Sequence, residues 1–336
     1  MKRVIKISLI ILGIIAICPA LVFFRNKYVI KLPVPQEPPF FSVHYSFNFP
    51  SIFTFSSVAN YQAPGKQIEE DIKEMKEMGF GGVKMSFNFR QNNALAEEAA
   101  LTTAQEGMYP IGIFMGHQQK PIDRAFTEDE LKEWENFVRD EVKTNKNIIY
   151  FWEIWNEPSM TELFRYGTPE EYTKLVKRTS KIIREENPEA KIIVTIDENN
   201  KGSAEFTNKA LSLGIGDYFD YLSFHPYAAN PYIQQDKFLE QIESQKALLK
   251  RNGNRWKLWI SEIGQPNSEV GLEKQAELGK LVFETAKKEN IPMVWLGYTD
   301  QRLPNNIKIG DGSGWGIIAH DGSQKPIYDV IKAMIH

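Results

Sequence analysis

The stretch FWEIWNEPSM, residues 151–160, runs through apolar and aromatic side chains into Asn156, Glu157 and Pro158. A second stretch, LWISEIGQP at 258–266, does nearly the same around Glu262. Each reads as a buried strand that delivers a carboxylate at its far end, and Pro158 stops the first run.

Outward from these two strands, short apolar runs alternate with longer amphipathic ones. Strands are expected at 40–49, 81–89, 109–117, 148–157, 191–197, 221–227, 257–264 and 292–300. Helices are expected at 66–79, 94–107, 127–143, 168–186, 202–213, 235–251, 272–290 and 326–335. In the first helix Ile68, Ile72, Met75 and Met78 share one face at helical spacing, and Gly79 is placed to cap its C-terminus. Thr127 with Glu130 three residues on is a capping-box pattern, and Thr168 followed by Pro169 is a second helix start. The strands are mostly apolar rather than alternating, as in a parallel sheet covered on both faces. Eight strand–helix units in about 300 residues predict a (β/α)8 TIM barrel. A doubly wound open sheet is the competitor. It would carry a Gly-rich phosphate turn after an early strand, and NFPSIFTFSS after the first strand has none.

Composition excludes several functions. The 336 residues are 42% hydrophobic and 25% charged, with a net charge of −3, which supplies no basic face for nucleic acid. Cys18 is the only cysteine, so an intrachain disulfide and a cysteine metal cluster are both ruled out. The five histidines, His44, His117, His225, His320 and His336, are too few for a histidine-rich metal centre. No cofactor and no catalytic metal is expected, although carboxylates alone could still hold calcium.

The N-terminus begins MKRVIKISLI, and the eighteen residues Ile7–Phe24 carry no charge. Behind Lys2, Arg3 and Lys6, that run is long for a signal-peptide core and just long enough to span a bilayer. Residues 1–31 therefore read as an uncleaved signal-anchor, with cleavage near Ala20 as the alternative. Pro33, Pro35, Pro38 and Pro39 make 32–39 an extended stalk. The domain, 40–336, is expected outside the cytoplasm, tethered to the membrane or secreted.

Barrel active sites lie at the C-terminal ends of the strands. Glu157 ends the fourth strand and Glu262 sits near the end of the seventh, which puts them across the mouth from each other. Two facing carboxylates suit glycoside hydrolysis, in which one protonates the leaving oxygen while the other, ionised, attacks the anomeric carbon. Singly, a glutamate at a strand end is an ordinary solvated residue; two at these positions are not. Glu153, four residues earlier in its strand, should lie deeper and pair with a cation.

WNEP at 155–158 resembles the acid/base motif of glycoside hydrolase clan A, the retaining (β/α)8 glycosidases, and ISEIG at 260–264 resembles its nucleophile segment. FHPYA at 224–228 and VWLGYTD at 294–300 resemble its sixth and eighth strands. GWGIIAHDGSQKPIYDVIKAM is similar to the closing segment of families 5 and 39. The resemblance covers roughly residues 40–336. It implies a carbohydrate substrate, Glu157 as general acid/base and Glu262 as nucleophile. It further implies that Asn156 bonds the sugar 2-hydroxyl, that Tyr227 bonds Glu262, and that His225 contacts Glu157 or the sugar. Trp295 would stack on the sugar ring, and His117 would line the site from the third strand. One departure stands out: many family 5 members carry an arginine on strand two, where this chain offers Lys84. Trp152, Trp134, Trp256 and Trp259 read as packing residues, while Trp315 and Tyr232 are candidates for outer sugar subsites. The expected activity is hydrolysis of a β-linked glycan or glycoside. A transglycosylase using the same residues and a noncatalytic carbohydrate-binding barrel are the rivals.

Overall fold

The computed structural model describes residues 30–45, 64–116, 125–159, 166–196, 201–227, 233–300, 314–319 and 321–336. The chain divides into two units, Met1–Lys31 and Leu32–His336. The expected anchor lies almost wholly outside the described residues, among which no helix is long and apolar enough to cross a membrane.

Eight parallel strands close into a barrel in chain order. They are β1 (Phe41–His44), β2 (Gly82–Asn88), β3 (Tyr109–Met115), β4 (Phe151–Ile154), β5 (Lys191–Thr195), β6 (Tyr221–Phe224), β7 (Lys257–Ile263) and β8 (Met293–Leu296). Between and after them run α1 (Pro64–Glu77), α2 (Ala94–Gln105), α3 (Glu128–Asn145), α4 (Pro169–Glu186), α5 (Lys201–Ser212) and α6 (Gln235–Arg251). A single turn, α7 (Asn267–Val270), precedes α8 (Leu272–Glu289), and α9 (Pro326–Ile335) closes the ring. The barrel is the expected one; α7 was not foreseen.

Local chemistry sets the helix ends. The Thr127 hydroxyl accepts from the Glu130 amide at 3.3 Å while Glu130 takes the Thr127 amide at 2.8 Å. Thr168 and Glu171 form the same box ahead of α4, with Pro169 in its first turn. Gly79 follows α1 at φ +95°, a conformation that costs glycine little.

Contacts between non-adjacent strands identify the barrel interior. Phe151 of β4 meets Trp259 of β7 with ring centroids 5.4 Å apart, and Tyr221 packs on Trp259 at 5.4 Å, forming an aromatic floor. One layer nearer the C-terminal end, Lys84 of β2 reaches Glu153 of β4 at 2.6 Å, both side chains fully buried. Glu153 thus lies deep in its strand and has the cation it requires. On the outer face, Trp152 stacks on Phe114 at 4.4 Å, and Phe114 packs against Trp134 and Phe137 of α3.

Residues 32–39 are not a free stalk. Leu32 is buried, its amide donates to the Asn147 carbonyl at 3.0 Å, and the Tyr150 hydroxyl donates to the Leu32 carbonyl at 2.9 Å. The Tyr109 hydroxyl bonds the Pro33 carbonyl, Glu37 pairs with Lys257, and Pro35, Pro38 and Pro39 are buried. Asn147, Tyr109 and Lys257 lie at the starts of β4, β3 and β7, so this segment lies on the N-terminal underside of the barrel. A side chain at Gly82 would stand 2.5 Å from Pro39 Cγ, so that position needs glycine. Proline stiffens the segment, but four of its apolar side chains, Leu32, Pro35, Pro38 and Pro39, find cover, and the compact unit starts at Leu32.

Candidate active site

Glu157 follows β4 directly. Trp155 and Glu157 both have positive φ, 67° and 45°, although neither is glycine. Such backbone is strained, and it persists where surrounding structure holds it. The Trp155 amide still bonds the Phe114 carbonyl at 2.9 Å, so the chain turns sharply only after leaving the ladder.

Glu262 reaches the mouth by a different device. From Ile260 to Ile263 three steps along β7 match two along β8, Met293 to Trp295. This is a bulge: two residues, Ser261 and Glu262, stand opposite one. In a regular strand successive side chains would point to opposite faces. Here Ser261 contacts the interior residues Glu153 and Ser223, and Glu262 contacts Tyr227 and approaches His225.

The two carboxylates meet around His225, which follows β6. One oxygen of each and a ring nitrogen of His225 all lie within 4.8 Å of one another. His225 Nδ1 is 2.7 Å from Glu157 Oε1 and 4.0 Å from Glu262 Oε1. The Tyr227 hydroxyl donates to Glu262 Oε1 at 3.3 Å. Asn156 is buried beside Glu157. The sequence-predicted residues Glu157, Glu262, Asn156, His225 and Tyr227 therefore share one end of the barrel. His117 lies outside the described residues, as does Tyr232.

Charge in this cluster is uneven. Burial opposes a charged imidazole at His225, but Glu262 and Glu157 outweigh it and push its pKa up to about 9. Burial pushes the Glu262 carboxyl above the usual range; the Glu157 charge adds to this and His225 opposes it. For Glu153, burial works against the charge, yet Lys84, His225 and the bond from Thr195 hold it below the usual range. His44, at the end of β1, shares a register row with Lys84 and Leu296. Burial, with Lys84 and His225 nearby, lowers its pKa to about 3 and leaves it neutral. Both its ring nitrogens are covered and lack a hydrogen-bond partner among the described residues.

Trp295 corrects an expectation. It is fully buried, packs on Phe283 of α8 at 6.1 Å, and lies beside Gly279 of the same helix. It therefore belongs to the layer between barrel and helices and offers no face to a sugar. Among the described residues Trp315 offers an aromatic ring near the mouth, half-buried, edge-on to Tyr227 at 6.0 Å and seated against Gly264. Lys325, itself buried, holds this segment by bonding the Gly314 and Gly316 carbonyls and Asp300. Sequence reasoning also missed His44 and Ser261. A histidine closing the first strand and a serine beside a strand-end glutamate were the available signals.

The family profile described as "Cellulase (glycosyl hydrolase family 5)" matches residues 67–301, well over half of the chain. Similar solved structures include a family 39 glycoside hydrolase from the gut symbiont Bacteroides cellulosilyticus WH2. It is 18% identical with a TM-score of 0.65, and the match covers 91% of this chain and 65% of that one. A GH5_18 protein from Streptomyces cattleya, solved with GlcNAc, is 14% identical at a TM-score of 0.64, covering 89% and 80%. Xylanase 10B from Thermotoga maritima is 18% identical at 0.59, covering 88% and 94%. At these identities the likeness is one of fold. The chain spans just under two-thirds of the family 39 protein and about a third of the Bacteroides uniformis β-glucuronidase. No curated protein matches the sequence. Lys84, in the place of the arginine common in family 5, does not remove the chain from that family: its profile match and closed (β/α)8 barrel show that the chain belongs to the cellulase family, glycosyl hydrolase family 5, of clan A.

Proposed function

We propose that the chain is a retaining β-glycosidase acting on a β-linked glycan or glycoside, with Glu262 as nucleophile and Glu157 as general acid/base. The carrying observation is the separation of the two carboxylates, whose nearest oxygens lie within 4.8 Å. Retaining enzymes hold this pair about 5–5.5 Å apart, while inverting ones leave about 6.5–9.5 Å for a water. A gap this short supports direct attack by Glu262 over a water held between the two carboxylates. Glu262 forms a bond to the anomeric carbon as Glu157 gives its proton to the departing oxygen, producing a glycosyl ester. Glu157, now a carboxylate, takes a proton from water, which attacks the same carbon and frees Glu262. Two inversions give net retention. The Tyr227 hydroxyl favours the ionised nucleophile, and in this reading Asn156, next to Glu157 in the chain, bonds a sugar hydroxyl. Trp315 takes the stacking role that Trp295 cannot.

The test is sugar release by residues 32–336 from β-glucans, mannans, xylans and aryl β-glycosides, with the first-formed anomer read by proton NMR. The β-anomer should appear first and Glu262→Gln should be silent. An α-anomer appearing first would overturn the retaining mechanism. Transfer to an added sugar acceptor in place of hydrolysis would make the same residues those of a transglycosylase.

We also infer, from the uncharged run Ile7–Phe24 behind a basic start, that residues 1–31 export the enzyme and tether it to a membrane. Retention of the intact chain in carbonate-washed membranes is the expected result. A soluble chain starting near residue 21 would show cleavage instead.

A further inference from the structure

Beneath the two glutamates lies a line of buried polar groups that the double displacement leaves unused. Lys84 Nζ pairs with Glu153 Oε2 at 2.6 Å and donates to the Ser261 carbonyl at 2.9 Å, one residue before Glu262. Glu153 Oε1 takes the hydroxyl protons of Thr195 and of Ser261, the latter at 2.8 Å. Ser261 Oγ lies beside Ser223 Oγ and 3.0 Å from His225 Nε2. His225 Nδ1 then meets Glu157 at 2.7 Å.

Proton counting fixes the direction of each bond. An ionised carboxylate only accepts, and a hydroxyl has one proton to give. Ser261 spends its proton on Glu153, so it can only accept from Ser223 and from His225. Nε2 must therefore carry a hydrogen. An ionised Glu157 likewise requires a hydrogen on Nδ1. The groups facing the ring are the carboxylates of Glu157, Glu262 and Glu153, the hydroxyls of Ser261 and Tyr227, and the nearby Lys84 and neutral His44.

We propose that Glu153 is a positioning residue for the acid/base: through Ser261 it sets His225 as a double donor, Nε2–H to Ser261 and Nδ1–H to Glu157, with Lys84 as counter-charge. This rests on the reading of Glu157 as acid/base. The proton between Nδ1 and Glu157 is shared: on Glu157 it supplies the acid of the first step, and on the ring it leaves the carboxylate that acts as base in the second. A Lys84–Glu153 pair that only held the barrel together would leave the titration of His225 unchanged when the Ser261 hydroxyl is removed.

The test follows the His225 ring by nitrogen-15 NMR of the histidine-labelled chain from pH 5 to 10. Glu153→Gln leaves Lys84 buried without its counter-charge and risks unfolding, so Ser261→Ala, which keeps the ion pair, carries the experiment. In the wild type both ring nitrogens should be protonated at pH 7. Ser261→Ala should lower the titration midpoint by about one unit or more. It should also lower kcat with little change in KM and move the basic limb of the rate profile by the same amount. An unchanged midpoint in Ser261→Ala, or a neutral His225 in the wild type, would overturn the proposal alone. Full turnover by Glu157→Gln would instead overturn the acid/base reading, and the purpose assigned to the relay with it.

Discussion

At the underside of the barrel the packed groups are satisfied: Leu32, Pro35, Pro38 and Pro39 are buried, and the Leu32 amide and carbonyl are both bonded. At the mouth the reverse holds. Two carboxylates share a space under 5 Å across, two non-glycine residues hold positive φ, a strand is bulged, and the buried His44 has no hydrogen-bond partner among the described residues. Each feature at the mouth costs stability and none is needed to close a barrel. The contrast teaches that the underside and the aromatic floor hold the shape that the mouth strains against.

The sharpest break in that contrast is Glu262→Gln. It should lower turnover by about 10⁴-fold or more while the thermal midpoint stays level or rises, because a buried like-charge pair is relieved. A large fall in the midpoint would make Glu262 a structural residue. Conversely, Leu32→Ala should cost about 2 kcal/mol in urea unfolding and leave kcat per folded molecule unchanged. Lost turnover there would show that the two ends are not separable.

The two histidines of the mouth sharpen the comparison through pH. His225 has its pKa raised from 6.5 to about 9, so its contribution is complete below 6.5 and lost as pH rises through 9. His44 is lowered from 6.5 to about 3, so the unfolded chain takes up a proton that the folded one refuses, and stability falls as pH drops from 6.5 toward 3. Unfolding at pH 4, 6.5 and 9 should show a maximum near 6.5. His44→Leu should flatten the acid arm and His225→Gln the basic arm. The smallest effect is that of Trp315→Ala. A lost stacking face is worth about 1 kcal/mol and should raise KM several-fold, whereas Trp295→Phe should affect stability and leave KM unchanged.

The parts that could be read from sequence are those whose signal is local. Thr127 with Glu130 and Thr168 with Pro169 announce helix starts on their own. Glu157 and Glu262 stand out because each ends an apolar run, and Glu153 because a buried charge needs a partner. The facing of Trp295 could not be read. A strand covered on both sides is apolar on both sides, so the alternation that assigns faces is missing. The packing of residues 32–39 was hidden for a different reason: proline content reports stiffness, while burial depends on where distant strands begin. His44 and Ser261 become visible only when β1 and β7 are brought beside the chain segments they approach.

The bulge in β7 has one more consequence. The direction of Glu262 is set by a count: one surplus residue between Ile260 and Ile263 relative to the neighbouring strand. Removing that surplus would leave composition and topology nearly intact and turn the glutamate toward the helices. Anyone transplanting this active site onto another barrel must therefore copy a register, and a pairwise inventory of side chains will omit the instruction that matters.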